Sequence, residues 1–563
     1  MKRGKGPLAV GILVAATAAW LLLASVHAGA PLLTKGPYLQ NPGPTAITIQ
    51  YETASPGDGL VRFGAAGAMD QKAAAPLYEK VEHPENSKDK KSPMRAAYLY
   101  RARLAGLRPG TTYQYQVLPM GEGGPAAAPS TFKTFPDKAD RVTFIAYGDT
   151  RTSPQSHRAV AANFNKHDPA FILHDGDLVA SGDRYDLWGP EFFTPLADVI
   201  DHIPMMVAFG NHERDAKYLL QLFDLPGGRT WYSFDYGPVH VVVLDDTKTG
   251  PDVLAWLGQD LAGAKAPWKI AVYHQPSFNF EGHKSDMVRL TFLPLFQKYG
   301  VDVVVAGHSH LYERFKPLMP VAVPPGGAGA AAAAATAQAL RRPITFITAG
   351  GGGAPLYGGA GLPPQPVLAK AAKAYQYCVF TVDAETLRLQ ALTPDGATLD
   401  TLTIGKKGGR YDDAYLAEAR PMEEAILAQG VIPLAPPTVE ALPTPEQPGR
   451  AVIQVRFPGM AVPVTVTVRL AEESAQAYAM DPVTAEIRPN QEGDIDVPLR
   501  ALRKVAAERN EKRSVLDPEP RFVLVAKAAG LQATCETGKV AYHLGETGKS
   551  KAKAPAAKAA AKP

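Results

Sequence analysis

The pattern of apolar and polar positions changes twice along this chain. Between Lys35 and Pro136 it alternates with period two. Thr45–Tyr51, Ala97–Leu104 and Thr112–Val117 each place every second residue on one face, and Gly and Pro turns separate them. That alternation predicts a β-sandwich. From Arg141 to Lys406 the runs become short and continuously apolar: Val142–Tyr147, Ala170–His174, Val239–Leu244, Lys269–Tyr273 and Val301–Ala306. Segments with helical spacing lie between several of them, including His157–Asn165 and Asp286–Tyr299. Buried strands alternating with helices predict a layered α/β domain. Tyr411–Gln429 reads as helical and Pro433–Pro448 as a proline-rich linker, together 407–449. Alternation then returns in Val452–Phe457, Val464–Leu470 and Arg521–Ala526, predicting a β-rich C-terminal domain over 450–543. The expected fold class is therefore multidomain, with an N-terminal β-sandwich, a central α/β domain and a C-terminal β-rich domain.

The two ends read differently. Lys2, Arg3 and Lys5 precede an apolar run from Leu8 to Val26 and the small residues Ala28-Gly29-Ala30. This is the form of a secretory signal over 1–30. The run is nearly long enough to span a bilayer, so an uncleaved anchor is the alternative. Either way the chain is expected to be exported, to the periplasm, the extracellular space or an N-terminal membrane tether. The last residues, 544–563, form a Lys/Ala-rich tail that reads as disordered. At 563 residues, 46% apolar and 20% charged, the chain has the composition of several folded domains. A net charge of +4 is small for this length and argues neither for nor against nucleic acid, so no nucleic-acid partner is indicated, and oligomeric state is not legible. Two cysteines, Cys378 and Cys535, exclude a disulfide-stapled scaffold; a bridge between them and two separate thiols both remain open.

The chemistry lies in short motifs at the ends of the central apolar runs. Gly148-Asp149, Gly176-Asp177, Gly210-Asn211-His212, His274 and Gly307-His308-Ser309-His310 occur in that order. Asp, Asn and His supply the oxygen and nitrogen donors that a hard or borderline metal ion takes. Ligands of open α/β sheets gather at the carboxyl ends of the strands. Donors far apart in sequence are thus expected to converge on one metal site. Asp494-Ile495-Asp496 also offers a calcium-type pattern, though a solvated turn explains it as well.

This constellation, over roughly Arg141–Leu356, resembles the calcineurin-like metallophosphoesterases and, within them, the purple acid phosphatases. The runs Gly210–Glu213 and Gly307–Arg314 are its most specific pieces, and Thr348–Leu356 looks like the family's glycine-rich strand end. Lys35–Pro136 adds to the likeness, because that branch places a fibronectin type III-like domain first; Leu107–Tyr113 looks like the corner of such a domain. The resemblance implies a four-layer αββα central domain. It also implies two divalent or trivalent ions, among Fe, Mn and Zn. Asp149 and His310 would bind the first, Asn211, His274 and His308 the second, and Asp177 would bridge them. Such a pair can acidify a shared water enough to give hydroxide near neutral pH, which attacks phosphorus in line. His212, beside Asn211, is implied as the group that stabilises the transition state or protonates the leaving oxygen.

Two positions depart from the resemblance. Many metallophosphoesterases have a histidine two residues after the first aspartate, where this chain has Arg151; a guanidinium cannot coordinate a cation. Purple acid phosphatases have a tyrosine three residues after the bridging aspartate, where this chain has Ala180. The first position is thus one protein donor short, and the tyrosinate colour is not expected. Water could fill the gap, or His157 could swing in from the next helix; otherwise His157 is a surface residue of that helix. Arg151 could clamp a phosphate oxygen, which its planar fork suits. Phe278 and Phe280 are the favoured aromatics for lining the pocket, ahead of Trp188, Phe192, Phe193, Phe209, Tyr218 and Trp231. Val321–Leu340 reads as a flexible insertion near its mouth. The expected function is an exported dinuclear-metal phosphoric ester hydrolase, acid-phosphatase-like and acting on monoesters. The alternatives are a phosphodiesterase or nucleotidase of the same superfamily, or a non-catalytic metal-containing surface binding protein.

Overall fold

The computed structural model describes residues 32–542 apart from 66, 281–286, 320–341, 358–364, 431–437, 442, 458–459, 461–462, 489–490, 504–505, 511–512, 518–519, 529 and 537–540. The N-terminal leader, the whole Val321–Leu340 insertion and the Lys/Ala tail lie outside the described residues. The described chain forms two compact units.

The first unit comprises the N-terminal segment to Asp137 with 184–204 and 221–224. Its strands form two antiparallel four-stranded sheets. One has the order 35–40, 46–53, 94–105, 77–84, and the other 71–74, 60–65, 112–118, 130–133. Ile47, Ile49, Tyr51, Tyr100, Tyr115 and Val117 fill the space between them. The Tyr113 hydroxyl accepts the Arg108 N–H at 2.9 Å, tying the strand to its own preceding turn. The other face of the 46–53 strand departs from the alternation. Thr48, Gln50 and Glu52 are buried too. Segments 184–204 and 221–224 satisfy this polar row: Thr48 donates to Asp224 at 2.9 Å, and Tyr185 donates to Glu52, which also pairs with Lys35 at 2.6 Å. Trp188, Phe192 and Phe193 belong to this unit, packed with Tyr38 and Phe223, and so do not line the pocket.

The second unit holds two seven-stranded sheets with the α/β connections that the apolar runs predict. In one, the strands Arg141–Tyr147, Ile172–His174 and Met205–Val207 run parallel, and Tyr377–Asp383 joins the first of them antiparallel. In the other, Val239–Val243, Trp268–Val272, Val303–Ala306 and Thr345–Ala349 run parallel. Helix boundaries follow proline. The first helix spans Pro154–Ala161, with Pro154 in its first turn. The predicted Asp286–Tyr299 helix is divided at Phe292 into Met287–Thr291 and Leu293–Tyr299, the second piece opening on Leu293-Pro294 and closing at Gly300 with φ +71°. Likewise Pro421 interrupts the 411–429 segment, leaving Asp413–Ala417 and Met422–Gly430, because proline removes an N–H and clashes with the preceding turn.

The C-terminal β-strands form two further sheets, one of seven and one of four strands. Thr438–Ala441, inside the predicted linker, is a strand paired with Gly449–Arg456. Met422, Ala425, Ile426 and Leu427 of the preceding helix join Phe292, Phe296 and Val304 of the α/β region with Ile453, Val466 and Leu524 of the C-terminal sheets in one apolar cluster. Asp496, of the calcium-type pattern, pairs with Arg450 across the strands. Cys378 is a free thiol, fully buried. Among the described residues no helix is long and apolar enough to cross a membrane.

Candidate metal centre

Every candidate donor follows the carboxyl end of a parallel strand. Asp149, Asp177 and Asn211 follow three neighbouring strands of one sheet. His274 and His308 follow neighbouring strands of the other, with His310 two residues on. The turns are tight: Asp149, Asp177 and His308 have φ of 56°, 58° and 66°, in the left-handed region where few side chains other than Asp, Asn and His settle. Non-glycine residues held there cluster at functional sites. Gly176 lets the turns approach each other. Its φ is +104°, and a Cβ there would lie 2.8 Å from His274 Nδ1 and 3.0 Å from the Gly210 backbone.

The convergence is close. His274 Nε2 lies 3.2 Å from Asp177 Oδ1, 3.1 Å from Asn211 Oδ1 and 3.2 Å from His308 Nδ1. His274 Nδ1 donates to the Asp175 carbonyl at 3.0 Å, so in the neutral ring Nε2 turns its lone pair toward these acceptors. Acceptors facing one another this closely repel unless a cation or proton lies among them. The histidine responds accordingly. Burial alone would push His274 down, but the charges and hydrogen bond of Asp177, with Asp149 and Asp246, raise it well above the ordinary histidine value. Conversely, burial would raise Asp177, and His274 holds it below the usual carboxylate range. Asp149 Oδ1 is buried without a hydrogen-bond partner, 3.5 Å from His310 Nε2, while Asp149 Oδ2 accepts the His308 N–H at 2.7 Å. The residues thus fit a cation. Asp177, Asn211, His274 and His308 would hold one, and Asp149, Asp177 and His310 offer donors for another.

Three residues of this site carried no assigned role in the sequence. Asp175 is fully buried, neither carboxylate oxygen has a hydrogen-bond partner, and it lies within ligand distance of Asp149 and His274. Burial and the Asp149 charge raise its carboxyl well above the ordinary value. Glu213 accepts the backbone N–H groups of Gly210 at 2.7 Å, Asp177 at 2.9 Å and Leu178 at 2.8 Å, pinning two donor turns together. Burial and the Asp177 charge push its carboxyl up to about 8, against the pull of these donors. Tyr357 stacks on His310, ring centres 4.7 Å apart, and donates to the His308 carbonyl at 2.8 Å. Of the three, only Glu213 had a local signal, through its place in Gly-Asn-His-Glu.

The remaining candidates divide. His212 is half-buried; its N–H donates to Asp177 Oδ1 at 2.9 Å, and its Nδ1 donates to the Ala180 carbonyl at 2.6 Å, leaving Nε2 3.8 Å from Asp177 Oδ2. Burial lowers its pKa, partly offset by Asp177. Arg151 reaches Asp177 Oδ2 through Nε at 3.3 Å and His310 Nε2 through Nη2 at 3.2 Å. Its Nε and Nη2 thus meet the candidate ligand atoms. His157 is neither on the surface nor among the donors. It is fully buried under the sheet, and its Nε2 meets the Tyr147 hydroxyl at 3.1 Å, because its helix packs that face inward.

A cavity of about 510 Å³ opens beside Asn211, lined by Phe209, Arg214, Leu220, Arg229, Trp231 and Lys248 among others. Its aromatics are Phe209 and Trp231, not the favoured pair. Phe278 is buried in the core and Phe280 stacks on Phe315, because the chain after His274 turns down into the apolar cluster. Trp231→Ala is expected to raise KM for an aryl phosphate about three- to tenfold, the worth of one aromatic contact of ~0.5–1.5 kcal/mol, with kcat little changed. Steady-state kinetics check this, and an unchanged KM refutes the cavity's role.

Residues 142–312 match the calcineurin-like phosphoesterase family, and residues 35–134 match the N-terminal domain of purple acid phosphatases. Purple acid phosphatase 21 of Arabidopsis thaliana is 28% identical over 282 residues, 44% of this chain and 62% of that protein. Acid phosphatase type 7 of Danio rerio is 26% identical over 322 residues, 48% of this chain and 69% of that protein. The chain thus spans less than two thirds of the Arabidopsis relative. A purple acid phosphatase from yellow lupin (Lupinus luteus) seeds shares the fold, with a TM-score of 0.55 at 19% identity, covering 66% of this chain and 74% of that one. The chain carries a calcineurin-like phosphoesterase domain preceded by a purple acid phosphatase N-terminal domain, and purple acid phosphatases are among its relatives.

Proposed function

We propose that this protein is an exported, metal-dependent phosphoric ester hydrolase acting on monoesters. The observation that carries the reading is the meeting of Asp177, Asn211, His274 and His308 at 3.1–3.2 Å around the buried His274 Nε2, a set of facing acceptors that calls for a cation. Fe, Mn and Zn all suit these donors. A bound cation would neutralise phosphoryl oxygens and acidify a coordinated water. The protein's own part is positioning. Glu213 fixes the two turns that carry Asp177 and Asn211. Ala180 holds the His212 ring by Nδ1, so that Nε2 is the atom that takes or gives a proton at the leaving oxygen. The cavity beside Asn211 gives the leaving group room. The charged and then apolar N-terminus supports export.

Turnover of an aryl phosphate monoester and the matching diester, with Mn, Zn or Fe supplied in turn, tests this. Monoester turnover that needs metal is expected. Preference for the diester would move the assignment to phosphodiesterase, and no turnover on any ester would favour the non-catalytic reading. His212→Ala should cut kcat by about 10²–10⁴-fold. Its metal content, measured in parallel, should stay unchanged; a joint loss of both would make His212 structural.

A further inference from the structure

The two cation positions are not equivalent, and Arg151 makes the difference. At the position formed by Asp177 Oδ1, Asn211, His274 and His308, the donors face one another directly at 3.1–3.2 Å. At the other, two of the three donors are already spent. His310 Nδ1 lies 2.8 Å from the Pro355 carbonyl, which only accepts, so Nδ1 carries the ring proton. Nε2 is then the lone-pair nitrogen, and the Arg151 Nη2 donates to it at 3.2 Å. Tyr357, stacked flat on the ring, holds it in this orientation. The shared carboxylate's second oxygen, Asp177 Oδ2, accepts from Arg151 Nε at 3.3 Å. Asp149 Oδ1, 3.5 Å from His310 Nε2, completes the set. Asp149 and Asp177 are both buried here, and their negative charge calls for a positive partner. A guanidinium is always protonated, so it supplies one positive charge at any pH and yields no donor to a metal.

We infer that the Arg151 guanidinium takes the place of the first cation, so that the protein holds one tightly bound divalent ion, at Asp177, Asn211, His274 and His308. This rests on the metal-dependent reading proposed above. Arg151 is then a positioning group. It fixes Asp177 and His310 and supplies the positive charge on the side of the site away from the bound ion.

The test is metal content, not activity. Purified full-length protein is loaded with Mn(II), desalted, and its metal counted by mass spectrometry; electron paramagnetic resonance reports whether the ions are coupled. The wild type is expected to retain one Mn(II) with an uncoupled spectrum. Arg151→His, which puts a nitrogen donor at that place, is expected to retain two with a coupled spectrum. Arg151→Asn, offering an oxygen donor, gives the same reading should the histidine variant not fold. Arg151→Lys, which keeps the charge, is expected to stay at one. Two tightly held ions in the wild type would overturn the inference and leave the proposed function standing. One ion in both donor variants would also overturn it, since Arg151 would not be what excludes the second. No retained ion in any variant would overturn the proposed function as well.

Discussion

Asp177→Asn is expected to strip the protein of its cation and lower kcat/KM by at least about 10³-fold, roughly 4 kcal/mol of transition-state stabilisation. The substitution keeps the shape of the side chain but removes its charge and one acceptor. Asp177 Oδ1 faces His274, and Oδ2 accepts from Arg151. Whichever way the amide turns, its NH₂ opposes a ligand or a donor. With the carboxylate gone, His274 loses the leading influence that raises it above its ordinary value. Metal analysis after desalting, together with turnover of an aryl phosphate, checks the result. Retained metal with intact activity would remove Asp177 from the centre of the site. Thermal melting of the variant separates loss of metal from loss of fold.

The second large effect is structural. Glu213→Ala is expected to destabilise the protein by about 3–5 kcal/mol, because it leaves three buried backbone N–H groups without an acceptor at ~1–3 kcal/mol each, offset in part by relaxation and water entry. The three belong to Gly210, Asp177 and Leu178. A drop of this size would consume a large share of the stability of an ordinary domain, ~5–15 kcal/mol. Urea denaturation followed by fluorescence measures it, and a loss below about 1 kcal/mol would show that these N–H groups find other partners. Because the same bonds hold the Asp177 and Asn211 turns together, metal affinity is expected to fall at permissive temperature, by about 10–100-fold for a residue that orients ligands.

Both predictions turn on how much of the site could be read in advance. The strand ends and their donors were legible because each apolar run stops at a short polar motif, and parallel strands deliver their carboxyl ends to one edge. The helix ends were less so. Pro154, Pro294 and Pro421 each set a boundary that apolar spacing alone placed elsewhere. Asp175 stands one glycine before Asp177 and looks like any turn residue. Its place between Asp149 and His274 depends on residues 26 and 99 positions away along the chain. Phe278 and Phe280 lie close to His274 in sequence, but the chain's turn toward the core packs them into the apolar cluster.

The sequence by itself determined the kinds of layer, the order of the donors and the absence of a coordinating side chain at 151 and 180. These follow from periodicity and residue type, which are local. Tertiary structure alone decided that Arg151 turns its fork onto Asp177 and His310, that His157 is buried against Tyr147, and that Glu213 gathers three N–H groups. It also decided that the polar face of the 46–53 strand is covered, not solvated. Each of these is a pairing between segments far apart along the chain, and no local pattern records which distant group a buried polar atom will find.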